Sequence, residues 1–503
     1  MTYIYCSIEM TMVLSAITFT LLQILGLVLG LYVVTVVTTI LLDNRTPQSA
    51  FAWLFLMLGF PVIGLLIYIF FGRGYKAFRD ETKLAHIGGL STPHGLIIQP
   101  LMDNQYEYAE KLKREKPNSY RSKLVYLLTH NSPSVLTGYN RLEILQDVKE
   151  KYTRLLEDIR SAHSSIHLLY YIWNEDPFTI ELKNALIERA KAGVKVRALV
   201  DDSGLTVSKR YLQELRDAGV QFFPYRVFKH FSTFHTLNYR CHRKIAVIDG
   251  EIGYVGGMNL DKEQVPGNNR LEFWRDTHLR FVGEAVLALQ ASLATTWFNA
   301  TNENLADQIN FSKVKPNSLP FTPIHIIQGG PDSHWGAIRQ LYFSMIVNAT
   351  TKVQIQSPFF IPDENLLEAI KTAALSGVEV EIMCSMHGTD LEIPHRAAYT
   401  YYADVARAGA KIYLYREGYF HCKTINIDSQ VCAIGTANFD IRSFYLNYEI
   451  MAVIYDEEKA RKLAEDFQKD IQKCDCFSLA DYQNAPLWRR LLDGLLRLAS
   501  PFL

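Results

Sequence analysis

No Lys or Arg precedes Arg45, so the basic leader of a cleavable signal peptide is missing. Net charge is missing as well: 52 basic residues balance 52 acidic ones. Such a chain has no bias towards polyanions, and nucleic acid is not favoured as a partner. Cysteine is sparse, seven in 503 residues, an odd number without framework spacing. That excludes a disulfide scaffold and suits a reducing compartment. Cys474 and Cys476 lack the further ligands a zinc site needs, and all seven read as structural or incidental. No His, Cys, Asp and Glu cluster has metal-ligand spacing, so neither metal nor cofactor is expected.

Charge is also absent from two long stretches, Thr11 to Leu42 and Thr46 to Gly72. Each exceeds the roughly 20 apolar residues that cross a bilayer. Only a short turn from Asp43 to Ser49 separates them, which predicts a transmembrane helical hairpin with both ends on one side. Arg73, Lys76, Arg79 and Lys83 follow the second stretch, against one Arg in the turn. The positive-inside rule then places the body in the cytoplasm of a multi-pass membrane protein.

What is present is a repeated motif. His242-Arg-Lys244, with Asp249 five residues further on, recurs as His421-Cys-Lys423 with Asp428. Seven residues past each Asp the chain reads Gly256-Gly257-Met258-Asn259 and Gly435-Thr436-Ala437-Asn438. Extended backbone puts residues i and i+2 on one face, so the His and Lys of each copy can point at a common ligand. Around the motifs a longer repeat is visible. Leu182 to Val196 matches Leu366 to Val380, and Tyr211 to Val220 matches Tyr401 to Ala410, each a helix stopped at Gly before a strand. The first copy carries extra residues before its motif, in the basic and aromatic stretch Arg226 to Arg240 with Lys229, His230 and His235.

Both copies, with their trailing Gly and Asn residues, resemble the phospholipase D superfamily, and the arrangement around them resembles bacterial cardiolipin synthases. Trp53 to Gly74 is similar to the membrane segment of that family. The resemblance implies two pseudo-symmetric α/β sandwich halves that share one active site at their seam, in a transferase of the cell membrane. Phosphatidylglycerol would be both donor and acceptor, and cardiolipin and glycerol the products. Against the family pattern, Gly257 and Thr436 stand where many members have Ser, and Cys422 lies inside the second motif. A hydrolytic phospholipase D would share the same residues and admit water. An inactive membrane scaffold would not need two intact motifs, and a nuclease of the superfamily would need a basic groove.

For phosphodiester chemistry, Lys244 and Lys423 supply positive charge, helped by Asn259 and Asn438 as amide donors. The resemblance implies that His242 is the nucleophile and His421 the general acid and then base. Asp249 and Asp428 complete the motifs and are grouped with the catalytic residues, yet an odd step from their His turns them away, towards bracing the fold. A reactive imidazole needs its far nitrogen held by a carboxylate. Asp276, 34 residues after His242, and Glu449, 28 after His421, sit on corresponding strands and are the candidates; Glu272 is the alternative in the first half. The other histidines read as structural, with His278, on the face of Asp276, as the exception to watch.

The expected organisation is a transmembrane hairpin over 1–72, a juxtamembrane linker over 73–135, first and second halves over 136–318 and 319–480, and an amphipathic tail over 481–503. The boundary between the halves falls in Lys315 to Pro323. In the tail, Leu487, Leu491, Leu495 and Leu498 lie at helical spacing beside Trp488 and three Arg. That pattern fits an interfacial helix or a tail packed on the body.

Overall fold

A computed structural model describes residues 2–42, 47–68, 93–117, 119–226, 238–261, 264, 273–306, 318–387 and 392–500. The expectations on Lys229, His230, His235 and Glu272, and on the basic residues after the second apolar stretch, fall outside these residues. The chain divides into two compact units, Met1–Thr82 with Phe228–Leu237, and Lys83–Val227 with Asn238–Leu503.

In the first unit, Thr2–Leu42 is a single helix. Its segment Ile17–Leu42 is, among the described residues, the one helix long and apolar enough to cross a membrane. The second apolar stretch is interrupted. It forms two helices, Pro47–Gly59 and Pro61–Ile67, because Pro61 has no N–H to continue the ladder and its ring excludes a helical residue before it. Phe60 is accordingly non-helical, with φ −134° and ψ 72°. The chain does turn back on itself, since the Tyr32 hydroxyl donates to the carbonyls of Met57 (3.2 Å) and Pro61 (3.0 Å). Val36, Ile40, Met57 and Tyr68 form a small shared core. The predicted hairpin is therefore present as a helix followed by a broken return limb, not as two equal spans.

Among the described residues, the second unit is built on one sheet of sixteen strands, fifteen along one path and the short Arg240–Cys241 paired beside it to Asn447–Ile454. From its centre outward, the first half contributes Leu136–Leu145, His278–Gly283, Ile252–Gly256, Ile245–Ile248, Ser165–Tyr170, Lys195–Asp201 and Gln221–Tyr225. The second half contributes, in the same order, Phe321–Gly329, Asn447–Ile454, Val431–Gly435, Thr424–Ile427, Lys352–Gln356, Glu379–Ser385 and Lys411–Tyr415, with Cys474–Cys476 added at its edge. The two central strands pair antiparallel, Thr137 opposite Ile324. A local two-fold thus relates the halves, and one sheet runs through both.

Helices cover the sheet where the repeat places them. Pro177–Lys191 and Glu364–Leu375 start at Asp176 and Asp363, whose carboxylates accept from the backbone N–H of Thr179 and Leu366. Both stop at glycines with left-handed backbone, Gly193 (φ 92°) and Gly377 (φ 90°). Between the halves, Ala285–Thr301 is buried along most of its length, packed on strands of both. Residues 93–131, expected as part of a linker, instead form two helices, Pro93–Glu115 and Arg121–Asn131. Ile97, Leu101, Leu124 and Leu128 join the cores of the body, and the Tyr108 hydroxyl donates to Glu284 at 2.9 Å.

Asp249 and Asp428 occupy turns between antiparallel strands. Their φ values are 55° and 51°, followed by Gly250 at 69° and Ser429 at 51°, the left-handed pair that a tight hairpin demands. Each carboxylate reaches back to the segment entering the neighbouring strand. Asp249 accepts from the N–H of His163, Ser164 and Ser165 at 2.7–2.8 Å. Asp428 accepts from Thr350, Thr351 and Lys352 at 2.8–2.9 Å. The structure thus sets the motif aspartates at turns, bonded to backbone, and not beside the paired His and Lys. Asp428→Ala leaves three N–H groups without their acceptor. A loss of about 1–3 kcal/mol is expected, towards the lower end because the carboxylate is half exposed and water replaces part of the bonding. Thermal or denaturant unfolding of the detergent-solubilised protein measures it; an unchanged transition would show that the latch contributes nothing.

Candidate active site

Two short parallel bridges draw the motifs together across the halves. Arg240–Cys241, just before the first motif, pairs with Asn447–Tyr448 of the second half. Trp274–Arg275 of the first half pairs with Tyr419–Phe420, just before the second motif. The pairing continues into the motifs, where the His242 N–H donates to the Tyr448 carbonyl (3.0 Å) and the His421 N–H to that of Arg275 (2.8 Å). Each bridge therefore sets a motif histidine beside the carboxylate one residue further along the opposite strand.

The consequence is a crossed pair. His242 Nδ1 lies 2.9 and 3.0 Å from the two carboxylate oxygens of Glu449, and His421 Nδ1 lies 2.7 Å from Asp276 Oδ2. Both carboxylates are fully buried. A carboxylate that accepts from Nδ1–H leaves the lone pair on Nε2, the tautomer a nucleophile or base requires. Glu449 and Asp276, singled out in sequence by their distance from the His of their own halves, each hold the His of the other half.

Burial pushes the His242 imidazole down to about 4, against the opposing pull of Glu449, and His421 down to about 3, with Lys423 adding to the effect. Both rings are neutral at pH 7 in the ligand-free site. Burial raises the carboxylates, but the hydrogen bonds from the imidazoles and the neighbouring ammoniums prevail and hold both below their ordinary values, His242 and Lys244 acting on Glu449, Lys423 and His421 on Asp276. The ammoniums are desolvated too, Lys244 lowered to about 7 and Lys423 to about 8. Lys423 acts on His242, and Lys244 acts on His421, so the four groups share one locus. Lys244 Nζ donates to the carbonyl of His242 (2.8 Å), and Lys423 Nζ to that of His421 (2.5 Å).

Asn259 accepts from the Ile172 N–H at 3.2 Å through its side-chain oxygen, leaving its amide protons for another partner. Asn438 is buried, with its carbonyl oxygen unsatisfied among the described residues. Arg243 and Cys422, between the His and Lys of their motifs, bond elsewhere. Arg243 donates to the Glu449 carbonyl (3.2 Å), while Cys422 Sγ accepts from Arg275 and Thr277, both at 3.4 Å. His278 is wholly buried, with its Nδ1 3.4 Å from the Met258 N–H and its Nε2 without a hydrogen-bond partner among the described residues.

Several contributors, Thr436 apart, were not singled out by the sequence. The ring of Tyr171 stands edge-on to His242 at 5.0 Å and under Lys244 Nζ at 5.1 Å. Trp274 and Tyr419 flank His421 at 5.2 and 5.6 Å. Thr436 donates its hydroxyl to Glu449 at 2.5 Å. Lys151 is fully buried, its ammonium near the Tyr170 hydroxyl (3.4 Å), and Asp276 acts on it electrostatically. Tyr171 follows a strand at the position where it enters the site, a weak signal; Lys151 gave none, since a Lys on an amphipathic helix normally faces water. Among the described residues no three His, Cys, Asp or Glu side chains are grouped to hold a metal ion.

Known proteins are similar to this chain in sequence and fold. A family model described as "Cardiolipin synthase, PLD-like domain" matches residues 155–276 and again 342–471, and one described as "Phospholipase_D-nuclease N-terminal" matches 30–73. The chain is 36% identical over 494 residues to the major cardiolipin synthase of Bacillus subtilis (strain 168), covering 95% of this chain and 98% of that one. It is also 36% identical over 480 residues to a cardiolipin synthase of Geobacillus sp. (strain WCH70), covering 95% and 94% of the two chains. The crystal structure of a phosphatidylserine synthase from Haemophilus influenzae Rd KW20 superposes with a TM-score of 0.56 at 16% identity, over 76% of this chain and 99% of that one, a likeness of fold. Doubled motifs, a crossed site and full-length relatives converge: this chain belongs to the cardiolipin synthase family of the phospholipase D superfamily.

Proposed function

We propose that the protein joins two phosphatidylglycerol molecules into cardiolipin with release of glycerol. The crossed carboxylate–imidazole pairs are the observation that carries this reading. His242 Nε2 attacks the phosphorus of the first lipid, and the bond from phosphorus to the glycerol oxygen breaks. That oxygen takes a proton from His421, and glycerol leaves. His421 then removes a proton from the free glycerol hydroxyl of the second lipid. The resulting oxygen nucleophile displaces His242 from phosphorus, and the enzyme returns to its first state.

The arriving phosphodiester supplies the negative charge that the ligand-free site lacks. It raises the affinity of His421 for a proton and keeps Lys244 and Lys423 charged. The lysines and the amides of Asn259 and Asn438 stabilise the charge that builds on the phosphoryl oxygens. Glu449 and Asp276 orient the rings and stabilise each as it becomes cationic. Tyr171, Trp274 and Tyr419 make the surroundings apolar, which favours a lipid alcohol over water as acceptor. The N-terminal apolar helix supports residence in the bacterial cell membrane, and the second apolar stretch with the Lys and Arg that follow it supports a multi-pass anchor with the catalytic body on the cytoplasmic side.

Incubation of solubilised protein with labelled phosphatidylglycerol, after thorough chelation, is expected to yield cardiolipin and glycerol in equal amounts. Phosphatidic acid as the main product would assign hydrolysis, and no product would assign a scaffold. Activity that needed added Mg2+ would show that the lysine clamp is not sufficient.

The division of labour is open to a direct trap. His242→Ala is expected to abolish transfer, and His421→Ala to lower kcat by about 10²–10⁴-fold, the range for loss of a general acid and base. With His421 absent, breakdown of the intermediate also slows. Mass spectrometry of acid-free quenched His421→Ala is expected to find the phosphatidyl group on the peptide containing His242. An adduct on His421 in the wild-type enzyme would reverse the roles.

The pH profile follows from the lysines. Their folded-state pKa values are lowered, so the charged clamp of the free enzyme is complete only well below 7, loses Lys244 as pH rises through about 7 and loses Lys423 through about 8. Because kcat/KM reports the free enzyme, it is expected to fall across that window. The limb in kcat lies at higher pH, since bound phosphodiester holds the ammoniums protonated. A kcat/KM that still rises beyond pH 9 would contradict a clamp made of these lysines.

A further inference from the structure

The helix Leu487–Arg497 is packed the wrong way round for a soluble surface. Its polar side faces the protein. Asp493, 1% exposed, accepts two hydrogen bonds from Arg396 at 2.8 and 3.0 Å. One turn on, Arg497 donates to Asp404 at 2.9 Å and lies over the Tyr401 ring at 4.3 Å. One turn earlier, Arg489 lies over Tyr399. Residues 489, 493 and 497 form one stripe, and all three contact the helix Glu392–Arg407 or its side chains. The opposite stripe is Leu487, Trp488, Leu491, Leu495 and Leu498, each 63–74% exposed.

Amphipathic helices on globular bodies normally bury the apolar stripe. Here the ion pair of Arg396 with the buried Asp493 holds the reverse orientation, because turning the leucines inward would cover the Arg396 guanidinium without its partner. The apolar stripe is thus held outward by design of the polar one. Eleven residues cannot span a bilayer, so the helix lies along a surface. Trp488 and the exposed Arg490 sit together at one end, the residue types that settle at the level of lipid headgroups and attract anionic ones. A bilayer is at hand, since the same chain carries the apolar helix Ile17–Leu42.

We propose that the leucine face of this helix docks on the surface of a bilayer containing anionic lipid. It gives the catalytic unit its own membrane contact, in addition to the N-terminal anchor. The helix it packs on also leads towards the site. Glu392–Arg407 packs on Phe360–Ile361, and that strand pairs with Phe439–Asp440, next to Asn438. The inference rests on the reading that the substrate is a membrane lipid, but its test does not require catalysis.

Full-length protein bearing Cys6→Ser, Cys474→Ser and Cys476→Ser, so that the remaining native thiols are buried ones, and Leu491→Cys is labelled with an environment-sensitive fluorophore and reconstituted into vesicles. With phosphatidylglycerol present, the emission is expected to shift to the blue and to be quenched by lipids carrying a shallow spin label. Both effects weaken in vesicles of phosphatidylcholine alone. Water-like emission without lipid quenching overturns the proposal. So does a blue shift without lipid quenching that accompanies a dimer, because a second copy would then cover the face. Replacing Leu487, Leu495 and Leu498 with Gln, all exposed and so tolerated by the fold, is expected to abolish the quench at position 491. A quench that persists undiminished in that variant also overturns it.

Discussion

Each catalytic-motif histidine is held by a carboxylate that belongs to the other half of the molecule, and this crossing constrains everything around it. The bonds His242 to Glu449 and His421 to Asp276 are buried. Removing one partner would leave a desolvated group without its bond, at a cost larger than the net gain of forming the pair. Neither half can therefore form a working site alone. The shared sixteen-stranded sheet, the helix Ala285–Thr301 packed on both halves and the two parallel bridges before the motifs all hold the crossing in register.

The two pairs reach similar geometry with different parts. Glu449 is the longer carboxylate and receives a hydroxyl from Thr436. Asp276 is shorter, and Gly257 stands at the position matching Thr436. A Cβ on Gly257 would come within 2.1 Å of Asp276 Oδ1, so a Ser or Thr cannot be accommodated there without displacing the carboxylate. Its oxygen instead accepts from the Thr277 N–H at 2.7 Å. The departures of Gly257 and Thr436 from the usual Ser are thus each matched to the carboxylate they face. A local two-fold in the backbone does not require equal side chains, and chemistry that asks different things of two histidines has no reason to keep them equal.

Much of this was legible in the sequence where a feature was repeated. Two His and Lys pairs, their Asn residues and the helix-Gly-strand units announced the two-fold, since coincidence in both copies is improbable. Asp276 and Glu449 were legible as residues but not as partners. Spacing along the chain measures distance to the His of the same half, whereas strand pairing decides which ring a carboxylate meets. The break at Phe60 and Pro61 was hidden because hydropathy is blind to a missing N–H. Residues 93–131 looked like linker because their apolar positions make sense only against partners elsewhere in the chain, such as Glu284 for Tyr108. The C-terminal stripe was read correctly as amphipathic, but periodicity cannot say which side faces in; that is set by Arg396, nearly a hundred residues away.

The balanced charge of the whole chain conceals how charge is placed. Between the pKa values of the imidazoles and those of the lysines, two ammoniums oppose two carboxylates, and the His, Lys and carboxylate set carries no net charge. A phosphodiester entering this set adds one negative charge in surroundings with little water to screen it. The least costly answer is a proton on an imidazole that already donates to a carboxylate through its other nitrogen. In the proposed reaction, binding of substrate and loading of the acid are then one event. Burial, which lowers both imidazoles, would keep a ring neutral for attack until the anion arrives, so the same desolvation that makes the histidines poor acids would make the lipid phosphate itself the trigger for acid catalysis.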